Sequence, residues 1–225
     1  MPAAKRRGLA AVTASLSTCD VSDALDELGL KGAPHGLRPL WPGCRRIAGP
    51  AATMKLVRRR EASPVTGTLE AIQAARPGDV LVIDHGGRTD VNSFGGIAAF
   101  TASRRGLSGI VIDGVTRDVD EIEELGFPAY GRGVIQQSIR NRCGFGGHGI
   151  EVRLGGVRVR PGDLIMADDN GVVVVPRERI EEVLEIARRR VRAEQGLRRR
   201  IARGEDPSRA HRLARYEPGQ TRSRA

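Results

Sequence analysis

Residues 109–133, GIVIDGVTRDVDEIEELGFPAYGRG, constrain the fold of this chain more than any other stretch. Gly109, Ile110, Val111 and Ile112 form an apolar run that enters Asp113-Gly114, the pattern of a buried strand delivering the chain to a turn. Residues 118–126 then space Val119, Ile122 and Leu125 three apart, with acids between them. That period predicts an amphipathic helix stopped by Gly126 and Phe127-Pro128. Arg117 and Asp118 therefore stand at a strand-to-helix corner, where open α/β sheets bind ligands.

The flanking sequence extends the pattern in both directions. Thr18 is placed to cap a first helix whose face carries Val21, Ala24, Leu25 and Leu28, with Gly29 ending it. A Pro/Gly-rich loop leads to a strand over residues 47–57, and a short helix over 67–75 follows. VLVID at 80–84 reads as a buried strand, residues 85–96 as a polar, glycine-rich loop, and 97–105 as a small-residue helix closed by Gly106. Strand and helix alternate here as in an α/β layer. From 131 to 175 the pattern changes to short apolar or alternating runs with glycine turns, a β-rich half. A basic helix from 177 to about 203 closes the fold. The expected organisation is an N-terminal extension (1–14), one domain (15–205) and a basic, mobile tail (206–225), without internal repeats.

Composition narrows the function classes. A length of 225 residues supports one domain with a substantial core. Cys19, Cys44 and Cys143 form no CxxC pair and are odd in number, which fits reduced thiols in a cytoplasmic protein. No apolar run approaches a membrane span, and Leu9 to Val12 behind Lys5-Arg6-Arg7 is too short for a secretory signal. The formal charge is +10, yet the stretch from Arg188 onward holds 13 arginines against four acids, leaving the other residues nearly neutral. A solvated basic helix accounts for this. Single-strand binding would need aromatic platforms among the arginines, so nucleic acid is not the expected partner.

The chemistry is expected where two corners meet. Gly95 and Gly96 enter a helix at Ile97 and Ala98, whose backbone N–H groups would favour a carboxylate. Arg117 offers a two-point fork for a carboxylate or enolate, and Asp118 a hard oxygen for Mg2+ or Mn2+. Together they could hold a 2-oxo acid with a divalent ion. The plainer reading is that Asp118 only caps the next helix and Arg117 makes a surface ion pair. Asp84 and Asp113 read as turn residues at strand ends. His85 and His148 read as exposed loop residues, with His85 a minor pocket candidate. No GxSxG, Walker or Rossmann fingerprint occurs.

Several blocks carry a resemblance: STCDVSDALDELGLKG, RRIAGPAATMK, GGIAAFTASRRGLSGIVIDGVTRDVDEIEELGFPAYGRG and GVRVRPGDLIMADDNGVVVVP. In this order, over about residues 15–205, they resemble the RraA-like family. That family holds the 4-hydroxy-4-methyl-2-oxoglutarate/4-carboxy-4-hydroxy-2-oxoadipate aldolases and the RraA regulators of RNase E. The resemblance implies a compact α/β/β sandwich of swivelling-domain topology, assembled as a trimer or a hexamer of two trimers, with active sites between subunits. It further implies that Arg117 and the amides of Ile97 and Ala98 hold pyruvate and that Asp118 binds the metal, which the regulators cannot do. A glutamate from the neighbouring subunit's C-terminal helix contributes in the family, and Glu194 is its match. One position departs: the aldolases have an acidic residue, holding a metal-bound water, where this chain has Gly96. Asp90 or Asn92 could substitute for it. The expected function is a Mg2+- or Mn2+-dependent carbon–carbon lyase that cleaves a 4-hydroxy-2-oxo diacid to pyruvate, with oxaloacetate decarboxylation as a side activity. The alternative is a non-catalytic RraA-like regulator that binds an RNA-degradation enzyme.

Overall fold

The computed structural model describes residues 15–58 and 63–214. Its elements run α1 (Thr18–Glu27), β1 (Arg38–Pro39), β2 (Ile47–Val57), α2 (Pro64–Ala74), β3 (Val80–Asn92), α3 (Gly96–Arg104), β4 (Gly109–Thr116) and α4 (Val119–Glu124). There follow β5 (Ala129–Gly131), β6 (Gly133–Val134), β7 (Gly144–His148), β8 (Val152–Leu154), β9 (Val157–Val159), β10 (Leu164–Asp168), β11 (Gly171–Val175), α5 (Ile180–Ala202) and α6 (Pro207–Ala214).

The main sheet has the order β1-β5-β4-β3-β2-β10-β11, with β6 beside β4 and β7 beside β2; β8 and β9 form a separate hairpin. The strands β2 to β5 are parallel, whereas β10 and β11 pair antiparallel at one side. Parallel strands are covered on both faces and so read as continuous apolar runs. Alternation within those runs sets the layers. Leu81, Ile83, Ile110 and Ile112 pack toward Ala71 and Ile72 of α2, Ala99 and Ala102 of α3 and Ile122 of α4. Val80, Val82 and Val111 point the other way, toward Val152, Leu154 and Val159 of the hairpin and toward Ile165 and Val172. The opposite faces of β10 and β11, with Leu164, Met166, Val173 and Val175, bury the apolar stripes of α1 and α5. The result is the expected α/β/β layering with a C-terminal helix.

Several local expectations need correction. The first helix is capped by Ser17, which forms a reciprocal capping box with Asp20. Thr18 instead bonds Asp168 through both its amide and its hydroxyl, tying α1 to the end of β10. α2 starts a turn earlier than expected, because Ser63 accepts from Thr66 N and Pro64 suits the first helical turn. Asp113-Gly114 is not a turn: β4 continues to Thr116, and β3 continues through the glycine-rich segment to Asn92 with two register shifts. The closing helix starts at Ile180 and not at 177. Finally, the start of the tail is helical. Asp206 caps α6 through Arg209 N, Pro207 opens it, and Ala210 is fully buried. The N-terminal extension and residues 215–225 lie outside the described residues.

Candidate active site

The site is assembled by one carbonyl. Phe94 O accepts from Arg117 N (3.1 Å), Thr116 Oγ1 (2.8 Å) and Asn92 Nδ2 (3.1 Å), which fastens the β3–α3 connection to the C-terminal end of β4. Ser93 N adds a bond to Val115 O at 2.8 Å. The start of α3 is thereby held against the Arg117-Asp118 corner, as the sequence predicts.

Asp118 does not cap α4 with its side chain. Its backbone lies in the left-handed region (φ 56, ψ 40), a conformation that aspartate tolerates better than most residues. This geometry throws the carboxylate back onto α3, where Oδ2 accepts from Gly96 N at 3.0 Å. Gly95, the residue before α3, is extended and has no side chain with which to cap it. The first intrahelical bond is donated by Ala99 N to Gly95 O. Gly96 N is thus occupied, while the amides of Ile97 and Ala98 are the first-turn donors left for a ligand. Arg117 Nε lies 3.4 Å from Asp118 Oδ2, and the side chains of both residues are about one-third exposed (34% and 35%). That approach is an ion pair without hydrogen-bond geometry, so Nε has no hydrogen-bond partner.

These groups open into a pocket of about 150 Å³ lined by Asn92, Ser93, Gly95 to Ala98, Arg117, Asp118 and Arg140, among others. A larger hollow of about 560 Å³ lies elsewhere, between Pro50–Thr53 and Arg177. It shares no residue with the corner. Five alanines line it together with Thr53, Arg76, Asp79, His148 and Arg177.

The glycine pair is held by space and not by backbone strain, since neither residue has a left-handed φ. A Cβ on Gly95 would stand 2.7 Å from Asp118 Oδ2 and 3.4 Å from Arg117 Cγ. A Cβ on Gly96 would fall inside the envelope of Glu121 Oε2 and 3.0 Å from its Cδ. Glu121, one turn along from Asp118, therefore puts a carboxylate where the side chain of residue 96 would be. No sequence signal marks it, because in α4 it reads as one of several solvated acids.

The other candidates are sorted by their partners. Asp84 is buried, accepting from Gly86 N (3.0 Å) and Arg153 N (3.1 Å) and pairing with Lys55 at 3.2 Å. Asp113 is buried likewise, accepting from Arg132 Nε (2.7 Å) and Gly155 N (2.9 Å). Neither is a simple turn residue; both fasten the β8–β9 hairpin to the sheet. Asp90 is held by Arg88 at 2.7 Å and does not line the pocket, so of the two proposed substitutes for an acid at 96 only Asn92 reaches it. His85 is not an exposed loop residue. It is 3% exposed on β3, with Nδ1 2.5 Å from Ser93 Oγ and Nε2 3.3 Å from Cys143 Sγ. Burial and the nearby Arg88 guanidinium push its pKa from 6.5 down to about 4, so it is neutral at pH 7. His148 is exposed on β7, as expected. Glu194 lies on α5 and pairs with Arg198 at 3.2 Å, and it does not line this chain's own pocket.

A divalent cation would find one carboxylate at this corner, that of Asp118. Mg2+ is commonly bound through one or two carboxylates while keeping waters and substrate oxygens. Asp118 supplies such an oxygen beside an arginine that would hold the substrate. Among the described residues no group of three or more His, Cys, Asp or Glu is placed to enclose an ion. The arginines of α5 are largely paired: Arg190 meets Asp23 (3.3 Å) and Glu27 (3.4 Å), Arg192 meets Glu185 (3.3 Å), and Arg200 grips Glu205 through two nitrogens. That face is a salt-bridge lattice and not a bare cationic stripe.

Fold and site together define an α/β protein with an anion-and-cation corner at the end of a parallel sheet. Residues 18–174 match the family described as RraA-like: Aldolase/RraA, and the chain belongs to that family. A protein of Halalkalibacterium halodurans named "Putative 4-hydroxy-4-methyl-2-oxoglutarate aldolase" is 33% identical over 186 residues, covering 83% of this chain and 84% of its own length. Protein DlpA of Legionella pneumophila is 34% identical over 169 residues, 75% of this chain but only 27% of that longer protein. Among solved structures, an uncharacterized protein from Pseudomonas syringae pv. tomato superposes with a TM-score of 0.83 at 31% identity, covering 90% of this chain and 92% of the other. Streptomyces coelicolor RraAS2, described as an unusual member of the RNase ES inhibitor RraA protein family, gives 0.70 at 32% identity, covering 76% and 86%. No helix of the described residues is long and apolar enough to cross a membrane.

Proposed function

We propose that this chain is a divalent-metal-dependent carbon–carbon lyase that cleaves a 4-hydroxy-2-oxo diacid of the 4-hydroxy-4-methyl-2-oxoglutarate type to pyruvate. One observation carries the reading: the Asp118 carboxylate and the Arg117 guanidinium share a pocket with the first turn of α3, where Asp118 takes only the Gly96 amide. Arg117 and the amides of Ile97 and Ala98 bind the carboxylate of the 2-oxo acid and fix its orientation. Asp118 would hold Mg2+ or Mn2+, which when bound supplies positive charge for the oxygen of the forming enolate. Cleavage of the C3–C4 bond leaves the electron pair on C3. The 4-hydroxyl loses its proton as C4 becomes a carbonyl, and protonation of C3 completes pyruvate. Oxaloacetate losing CO2 passes through the same enolate, so its decarboxylation is the companion activity.

The small pocket suits the pyruvoyl half alone, so the remaining contacts are assigned to a homo-oligomer, a trimer or hexamer. Ile97 (75% exposed), Phe100 and Leu125 form an apolar surface beside the pocket that a second copy would cover. Glu194 of a neighbour is the proposed additional acid. The alternative reading, a regulator that binds an RNA-degradation enzyme, takes support from Gly96 and from the likeness to RraAS2, whereas Asp118 favours the lyase.

Pyruvate release from 4-hydroxy-4-methyl-2-oxoglutarate and from oxaloacetate, with EDTA and then with Mg2+ or Mn2+ restored, tests the reading. Activity should vanish and return. Full turnover by a verified metal-free preparation would refute the ion, and no turnover of either compound would favour the regulator.

A further inference from the structure

Two polar atoms in the pocket wall are buried without a hydrogen-bond partner, Asn92 Oδ1 and Arg117 Nε. Asn92 is only 3% exposed. Its backbone N–H bonds Gln137 O and its Nδ2 bonds Phe94 O, the same carbonyl that receives the Arg117 amide. That bond fixes the amide's orientation, since the swapped form would set Oδ1 against a carbonyl oxygen. An acceptor buried without a donor is costly, and folded chains keep few of them. An N–H and a bare acceptor in one wall are complementary to one kind of oxygen, one that accepts from the guanidinium and also donates to the amide. A carboxylate or keto oxygen serves Arg117 only, because it has no proton to give to Oδ1. A hydroxyl serves both.

Resting on the lyase reading above, we propose that Asn92 Oδ1 accepts the hydroxyl of the substrate and makes this pocket selective for hydroxylated 2-oxo acids over unhydroxylated ones. Nε of Arg117 donates to that hydroxyl while the other guanidinium nitrogens take the substrate carboxylate, so both contacts of the lyase reading are kept. A site whose buried acceptor is left unpaired by the wrong substrate discriminates more strongly than an apolar one.

The test measures kcat/KM for 4-hydroxy-4-methyl-2-oxoglutarate and for oxaloacetate, which lacks the hydroxyl, in wild type and Asn92→Leu. Leucine keeps the shape and removes the orphan acceptor together with the Asn92 Nδ2–Phe94 O bond, so the variant is expected to melt close to wild type. Its kcat/KM for the hydroxylated acid should fall about tenfold more than its kcat/KM for oxaloacetate, the equivalent of one hydrogen bond. Equal losses on both substrates would show a structural role and overturn the proposal, as would no loss on either. If Asn92→Leu melts well below wild type, Asn92→Ala is measured in the same pair of assays, with the same outcomes deciding. Wild type that turns over neither compound refutes the lyase reading itself and this inference with it. Wild type that turns over both, with no change of ratio in the variants, refutes only the role of Asn92.

Discussion

Three replacements of Asp118 separate its backbone role from its charge. The residue sits at φ 56, ψ 40, a region that costs an ordinary L-residue about 1–2 kcal/mol but is tolerated by asparagine and free to glycine. Its carboxylate also caps α3 through the 3.0 Å bond from Gly96 N. A bond to a charged acceptor is worth about 1.5–3 kcal/mol when buried; at a side chain one-third exposed, about 1 kcal/mol is the better figure. Asp118→Ala loses both terms and should cost about 2–3 kcal/mol. Asp118→Gly keeps the backbone and loses the cap, costing about 1 kcal/mol. Asp118→Asn keeps both, since its amide oxygen can accept from Gly96 N, and should stay within about 1 kcal/mol of wild type. None of the three retains a carboxylate, so all should lose Mn2+ binding alike. Urea unfolding gives the first ordering and Mn2+ titration followed by electron paramagnetic resonance the second. Alanine and asparagine variants of equal stability would refute the strain-and-cap account. Wild-type Mn2+ affinity in Asp118→Asn would place the ion elsewhere.

The adjacent glycines should respond oppositely. Gly95→Ala pushes a methyl to 2.7 Å from Asp118 Oδ2, so pyruvate release should fall by up to about 100-fold, the scale of a misplaced reacting group. Gly96→Ala meets only the movable end of Glu121, at a helical position without left-handed strain, and should be neutral or raise stability by about 0.5–1 kcal/mol in urea. The buried His85 predicts a pH dependence with a definite sign. Its pKa falls from 6.5 when unfolded to about 4 when folded, so the unfolded chain binds the extra proton first. Its contribution is therefore complete above pH 6.5 and is lost as pH falls from 6.5 toward 4, by about 3 kcal/mol in all. Urea midpoints at pH 7 and pH 4.5 should show that loss in wild type and a smaller one in His85→Gln; parallel curves would refute it.

Much of this protein is legible in one dimension. The apolar runs of β2, β3 and β4, the threefold period of α4 and the arginine–aspartate pair are local patterns. Local periodicity decides which residues face a core and where a chain must turn. The alternation of strand and helix, the corner at Arg117-Asp118 and the helix entry at Gly95-Gly96 all follow from such patterns, and the family resemblance adds the α/β/β layering and roles for the same residues. What the tertiary structure decided depends on distance in space between residues far apart in sequence. Asp113-Gly114 reads as a turn, yet β4 runs through it because Asp113 is bonded by Arg132 and Gly155. Asp118 reads as the cap of its own helix, yet its left-handed backbone aims it at α3, 22 positions earlier. Glu121 reads as solvated, yet it occupies the space that Gly96 leaves free. The bare oxygen of Asn92 is visible only once Phe94 O has claimed the other end of the amide. In each case the deciding force is a hydrogen bond or a steric contact between elements. Such contacts leave no periodicity in the sequence, because they form only after the sheet has brought the loop ends together.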